Sequence, residues 1–295
     1  MINTVFFQGG AARVAQILHN ILNETSEFSS CFAYGRRPKM KHNFCIKTLK
    51  DGRAMLNLAC GTKMNWDWTN VDFSIYAYLA RHKAVIKYLR WTGFMSEERY
   101  KRLLCVDPKI IRWDLRKGIP FFDESFDVVY CSHFLEHIEK DSVSFFLKEC
   151  YRVLKHRGII RIVVPDLETL VNRYVLSASR MKNGEALALD DHQQAIHDLF
   201  DQMVRRKPAG RMKQNLVIQI IESFLLGSTE KTGELHRWMY DRYSLKPLLS
   251  GVGFKDIRVE SPFTSRIEGW NQFNLDTNED GSVYKPGSLY IEGAK

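Results

Sequence analysis

Three acids standing at the ends of short apolar runs mark where this sequence could do chemistry. They are Asp72 in TNVDFS (69–74), Asp114 in IIRWDL (110–115) and Asp166 in IVVPD (162–166). Ahead of them, AMLNLACGT (54–62) carries an apolar stretch into a turn at Gly61. An apolar strand ending in a glycine turn, with an acid at the tip of the next strand, is how an open parallel sheet holds a nucleoside. Glycine lets the backbone approach the ligand closely. A carboxylate at the end of the second strand can accept both ribose hydroxyls, so Asp72 is assigned to the ribose rather than to capping the next helix. Asp114 suggests a contact to the base; the alternative is a turn acid paired with Arg112 or Arg116. Asp166 is read first as the cap of a helix starting at Leu167, and second as an acceptor-facing group.

SHFLEHI (132–138) follows an apolar run and brings Ser132, His133, Glu136 and His137 within about two helical turns. An imidazole titrates near neutral pH and can take a proton from a hydroxyl. His133 is therefore a candidate base, balanced against a capping role, while His137 reads as structural. A metal site is not expected: His133 and His137 are one turn apart and no third ligand is evident. His236, Arg237, Trp238 and Tyr240 in HRWMYD (236–241) add a second possible base, a cation and two aromatics.

These residues need elements to hold them. The runs over residues 54–60, around 71, and over 126–131 and 159–164 have the length and apolarity of buried strands. The link from Gly61 to Asn70 is too short for a crossover helix. Residues 75–104 are helical in pattern, and a helix from about Asp141 carries the stripe Val143, Phe146, Leu147, Cys150 and Leu154. Gly158 is read as breaking that helix, and Pro165 as ending the strand after it. A last helix over 245–249, closed at 251–254, precedes two terminal strands at 257–259 and 289–291. Alternating strands and helices predict an α/β fold with a parallel sheet packed on both faces. An amphipathic helix is expected over 11–24, and residues 167–233 read as a helical insertion that could close over an acceptor.

With 45% apolar and 26% charged residues, the chain has the composition of an ordinary globular protein. Its net charge of +9 favours anionic partners in general without choosing among nucleic acid, phosphorylated sugar and membrane surface. Part of the excess sits in one run: Arg36, Arg37, Lys39, Lys41, Lys47, Lys50 and Arg53. The six cysteines form no CxxC pair and no zinc spacing, which points to a reducing compartment. No signal-peptide layout and no bilayer-length apolar run is present. A cytoplasmic protein is the expectation.

The ordered set of motifs over 53–166 resembles the class I, Rossmann-like S-adenosylmethionine-dependent methyltransferases. The block 234–260 and the closing SLYIEGAK (288–295) are similar to a bacterial group of predicted methyltransferases linked to polysaccharide biosynthesis. The resemblance implies a mostly parallel seven-stranded sheet with helices on both faces. It adds an N-terminal helical extension over 1–50, a methyltransferase domain over 51–295 and a helical insertion over about 167–233. It also implies S-adenosylmethionine as cofactor, held by Asn57, Ala59, Gly61, Asp72, Asp114, Leu115 and Ser132, with no metal. His133 and His236 become the catalytic candidates. Asn57, Ala59 and Lys63 depart from the family pattern: the first stands where many members have an acid, the others where glycines are common. The leading expectation is O-methylation of a sugar, glycan or other small acceptor. A nucleic-acid methyltransferase is the first alternative, although strand four ends in CSHF rather than an NPPY-type tetrapeptide. A non-catalytic scaffold is the second, and the retained Asp72 and Asp114 argue against it.

Overall fold

The structure is a computed structural model. It describes residues 44–203, apart from Ile75, Tyr76, Tyr78, Phe94, Ala186 and Leu187, and residues 236–295. The expected helix over 11–24, the basic residues before position 44, Cys31 and the insertion beyond position 203 lie outside the described residues.

A single seven-stranded sheet organises the chain. Strands β1 (Met55–Leu58), β2 (Thr69–Asp72), β3 (Ile111–Arg112), β4 (Phe126–Ser132) and β5 (Leu154–Pro165) run parallel to their neighbours. β6 (Lys255–Glu260) and β7 (Ser288–Ala294) close the other edge, with β7 antiparallel to both β5 and β6. The order is β3-β2-β1-β4-β5-β7-β6. The chain steps outward from β1 in one direction, then returns to β4 on its other side. The crevice beyond the carboxyl ends of β1 and β4 is thus the switch point where such sheets bind ligands. Every residue of β1 and β2 is buried, as strands covered on both faces require. This is the Rossmann-like methyltransferase architecture that the motif order anticipated.

Helices α1 (Lys83–Trp91) and α2 (Glu97–Leu104) lie between β2 and β3. The pattern over 75–104 is thus two helices, broken where Gly93 takes a left-handed φ of 77°. α3 (Lys140–Val153) buries Val143, Phe146, Leu147, Cys150 and Val153 against one face of the sheet. Each fully buried large apolar side chain contributes about 1.5–3 kcal/mol, so this stripe fixes the helix. α4 (Leu167–Lys182) and α5 (Ala188–Met203) follow β5 and pack on each other. α6 (Arg242–Val252) adds Leu245 and Leu249 beside α3, and Gly253 at φ 119° ends it.

The opposite face of the central strands is covered differently. Because the link from β1 to β2 is only turns, Trp68 fills the space where a crossover helix would sit. Trp270 and Phe273, from the short 3-10 helix Trp270–Phe273, pack on it with ring centroids 6.0 and 5.1 Å away.

Gly158 does not end α3. The helix stops at Val153 and β5 begins at the next residue, so Gly158 lies within the strand. β5 bulges there: Phe126 pairs with Leu154 but Val128 pairs with Ile159. A side chain at position 158 would come within 2.9 Å of the Lys155 carbonyl and 3.1 Å of that of Asp127. Glycine is required by close backbone approach, which sequence alone does not separate from a helix stop.

Candidate active site

The turn after β1 and the tip of β2 are one hydrogen-bonded unit. Asp72 is buried, and its Oδ2 accepts from the Gly61 amide at 2.7 Å while Oδ1 accepts from the Ser74 amide. A carboxylate has about four acceptor positions, so both oxygens retain capacity for hydroxyl donors. Ala59 and Gly61 hold left-handed φ angles of 52° and 53°. That conformation costs a non-glycine residue about 1–2 kcal/mol, so Ala59 is a strained stand-in for glycine. A Cβ on Gly61 would meet nothing within 4 Å. The turn therefore faces open space, as a nucleoside cradle must.

Asn57 is buried, and its amide donates to Asn70 Oδ1 at 3.0 Å and to the Lys63 carbonyl at 3.1 Å. In this state it latches β1 to β2 and to the turn. Lys63 reaches away, donating to the Thr277 carbonyl at 2.7 Å.

Asp114 is buried just beyond β3, next to the buried Leu115. Its Oδ1 accepts from the Arg116 amide at 3.1 Å and from Arg116 Nε at 2.8 Å, and Oδ2 accepts from the same guanidinium at 3.2 Å. The pairing with Arg116 that sequence offered as an alternative is thus present, on a carboxylate lying two strands from the Gly61 turn. Asp166 caps α4, accepting from the Glu168 amide at 3.1 Å and the Thr169 hydroxyl at 2.6 Å.

At the end of β4, Ser132 is half-buried and His133 turns the chain with a left-handed φ of 50°. The His133 ring bridges two partners. Its Nε2 lies 2.9 Å from Ser288 Oγ, and its Nδ1 lies 3.1 Å from Glu136 Oε1. Burial lowers the imidazole below its ordinary range against the opposing pull of Glu136. Glu136 is 0% exposed, and neither of its oxygens accepts an aligned hydrogen bond. Burial alone would raise its carboxyl; the close His133 imidazole and the charge of His137 hold it down to about 2.

His236 joins this group from the far side of the insertion. The backbone amide of the next residue, Arg237, donates to the Glu136 carbonyl at 2.6 Å. The His137 and His236 rings meet edge to face at 4.9 Å. Glu136, His137 and His236 each offer a donor atom, all within 4.8 Å of one another. Tyr240 is buried, as expected of an aromatic lying against the sheet, and its hydroxyl has no hydrogen-bond partner. Burial, and then the Glu136 charge, push that hydroxyl up to about 12. Trp238 is instead 42% exposed, with Lys140 Nζ 3.9 Å over its ring.

Two participants escaped sequence reasoning. Ser288 sits 155 positions from His133, and nothing local marks it. Glu136 has no role assigned from sequence, although an acid between two histidines was the available signal.

Residues 56–162 match the family of the methyltransferase domain. The match runs from β1 into β5 and takes in the Gly61 turn, Asp72, Asp114 and His133. That segment is thus similar to a methyltransferase domain. The cradle at Gly61 and Asp72 fits S-adenosylmethionine, the cofactor such a domain would take. No curated protein sequence matches the chain. Solved structures with a similar course include an S-adenosylmethionine-dependent methyltransferase from Archaeoglobus fulgidus, at 15% identity over 82% of this chain and 85% of that one, TM-score 0.35. Another is a Thermotoga maritima methyltransferase described as a possible histamine N-methyltransferase, at 15% identity over 82% and 81%, TM-score 0.35. A third is a putative Haloferax volcanii methyltransferase solved with its Trm112 activator, at 12% identity over 85% of each chain, TM-score 0.36. Among the described residues, no helix is long and apolar enough to cross a membrane.

Proposed function

We propose that this chain is an S-adenosylmethionine-dependent methyltransferase that methylates an oxygen of a small acceptor, a sugar or glycan hydroxyl, with His133 as the base. The observation that carries the reading is the His133 ring itself: half-buried, pushed below its ordinary pKa by burial, and backed by the Glu136 carboxylate at 3.1 Å. S-adenosylmethionine supplies an electrophilic methyl group on a sulfonium, open to in-line displacement. Asp72 accepts the ribose hydroxyls, Asp114 faces the adenine amino group beside Leu115, and Gly61 admits the ligand to the turn. Asn57, Ala59 and Ser132 line the same crevice. An amine acceptor can attack with its own lone pair, whereas a hydroxyl gains from losing its proton as it attacks. An acceptor hydroxyl reaching the Nε2 edge that Ser288 occupies would give its proton to His133, and Glu136 would stabilise the imidazolium that forms. His236 is the second candidate for this work. Alignment of acceptor oxygen, methyl carbon and sulfur supplies much of the remaining acceleration. Helices α4 and α5, which follow β5, are the candidate cover over the acceptor, and the polysaccharide-linked group that the C-terminal block resembles supports a glycan.

The test is a transfer assay with methyl-labelled S-adenosylmethionine against free sugars, lipid-linked glycans and RNA, with product analysis by mass spectrometry. A methyl ether on a sugar, lost with His133→Ala while cofactor affinity holds, is the expected result. Label on an RNA base, with affinity falling steeply as salt rises, would replace the glycan reading by the nucleic-acid one.

A further inference from the structure

We propose that Glu136, His137 and His236 form a binding site for a divalent transition-metal ion of the zinc class at the mouth of β4. Two imidazoles and one carboxylate are a common three-residue ligand set for such an ion, and leave a coordination position open. The donor atoms lie within 4.8 Å of one another. Ligands on opposite edges of a tetrahedral ion with bonds of about 2.0–2.1 Å are roughly 3.3 Å apart, so modest side-chain rotations close the set.

Glu136 is the independent pointer. It is 0% exposed, with both oxygens unaligned for any hydrogen bond. The imidazoles of His133 and His137 approach it at 3.1 and 3.9 Å. A buried carboxylate whose close contact is one poorly aligned imidazole is costly, and a cation would offset that cost. The surroundings are also arranged as a metal site requires. His236 Nδ1 lies 2.6 Å from the Gln202 carbonyl. That contact makes Nδ1 the N–H donor and Nε2 the ring's electron-pair donor, the outer contact by which proteins orient ligating histidines. The two segments carrying the ligands are clamped together: the amides of Arg237 and Trp238 donate to the Glu136 carbonyl at 2.6 and 3.3 Å. His133 touches the same carboxylate without being one of the three ligands.

An ion there would hold an acceptor oxygen in its open position and lower the pKa of the hydroxyl. That use rests on the methyl-transfer reading; ion binding does not. The test is direct titration of the chelator-treated, desalted full-length protein with Co²⁺, read by its visible ligand-field bands, and with Zn²⁺ by calorimetry. Glu136→Gln, His137→Asn and His236→Asn are compared with wild type and with Glu139→Gln, a carboxylate nearby and outside the set. One ion per chain is expected, with affinity lowered at least about tenfold in each ligand variant and unchanged in Glu139→Gln. Circular dichroism of the metal-free variants separates ligand loss from misfolding. Absence of saturable binding, or equal binding in wild type and the three ligand variants, would overturn the site. S-adenosylmethionine binding measured on the same samples shows separately whether the methyltransferase site is intact.

Discussion

Two groups of fully buried charges sit in this molecule, and they follow opposite rules. Under β5 and β7, Arg161 and Glu292 are 0% exposed and Asp276 is 3% exposed. Arg161 donates to Asp276 at 2.8 Å, to Glu292 at 2.7 Å, and to the carbonyls of Thr264 and Ser261 at 3.0 and 2.7 Å. Asp276 also accepts from Tyr130 at 2.7 Å and from Trp270 at 3.1 Å. Glu292 accepts from the Arg266 amide at 3.0 Å and from Ser265. This group ties the loop after β6 to the sheet. Beyond the end of β4, Glu136 is as deeply buried, yet its oxygens have no aligned donor and its neighbours are imidazoles. The first group is saturated and structural. The second keeps its capacity for something else, at the place where the methyl-transfer chemistry is expected.

Substitutions can break that contrast. Arg161→Met leaves two carboxylates buried without their cation, and removing one partner of a buried pair costs about 3–5 kcal/mol. Chemical denaturation should show a loss of that size; a loss below 1 kcal/mol would mean the cluster is not what holds the loop. His133→Ala, by contrast, should lower kcat by about 10²–10⁴ if it is the base, with S-adenosylmethionine affinity and Tm near those of the wild type. Tyr130→Phe removes one hydrogen bond to the buried Asp276 carboxylate, worth about 1.5–3 kcal/mol, and should leave kcat unaffected. Glu136→Gln should lower turnover, since it removes the carboxylate that faces His133. Unchanged turnover in Glu136→Gln would erase the distinction between the two clusters.

The parallel half of the fold was legible because its signals are local. The runs over 54–60, around Val71 and over 126–131 are short, apolar and bounded by turn residues, and all three became strands of the expected sheet. The short link after Gly61 was also legible, but not that Trp68 and Trp270 would fill the space it leaves. Gly158 misled because a bulge and a helix stop place the same demand on sequence. Arg161 was hidden inside RIVV, where one charge in an apolar strand gives no hint of partners 115 and 131 positions away. The site divides in the same way. Gly61 and Asp72 were found as strand-end residues and are directly hydrogen-bonded. The assembly of Ser288 and His236 around His133, Glu136 and His137 depends on chain crossings that no local pattern records.

Calorimetric titration of the purified, cofactor-free protein with S-adenosylmethionine and S-adenosylhomocysteine, alongside Asp72→Ala, tests the central claim most directly. The account predicts saturable binding of both. Loss of two charge-assisted hydrogen bonds to the ribose, at about 1.5–3 kcal/mol each, should weaken binding at least tenfold in Asp72→Ala. Well-folded wild-type protein that binds neither ligand would contradict it.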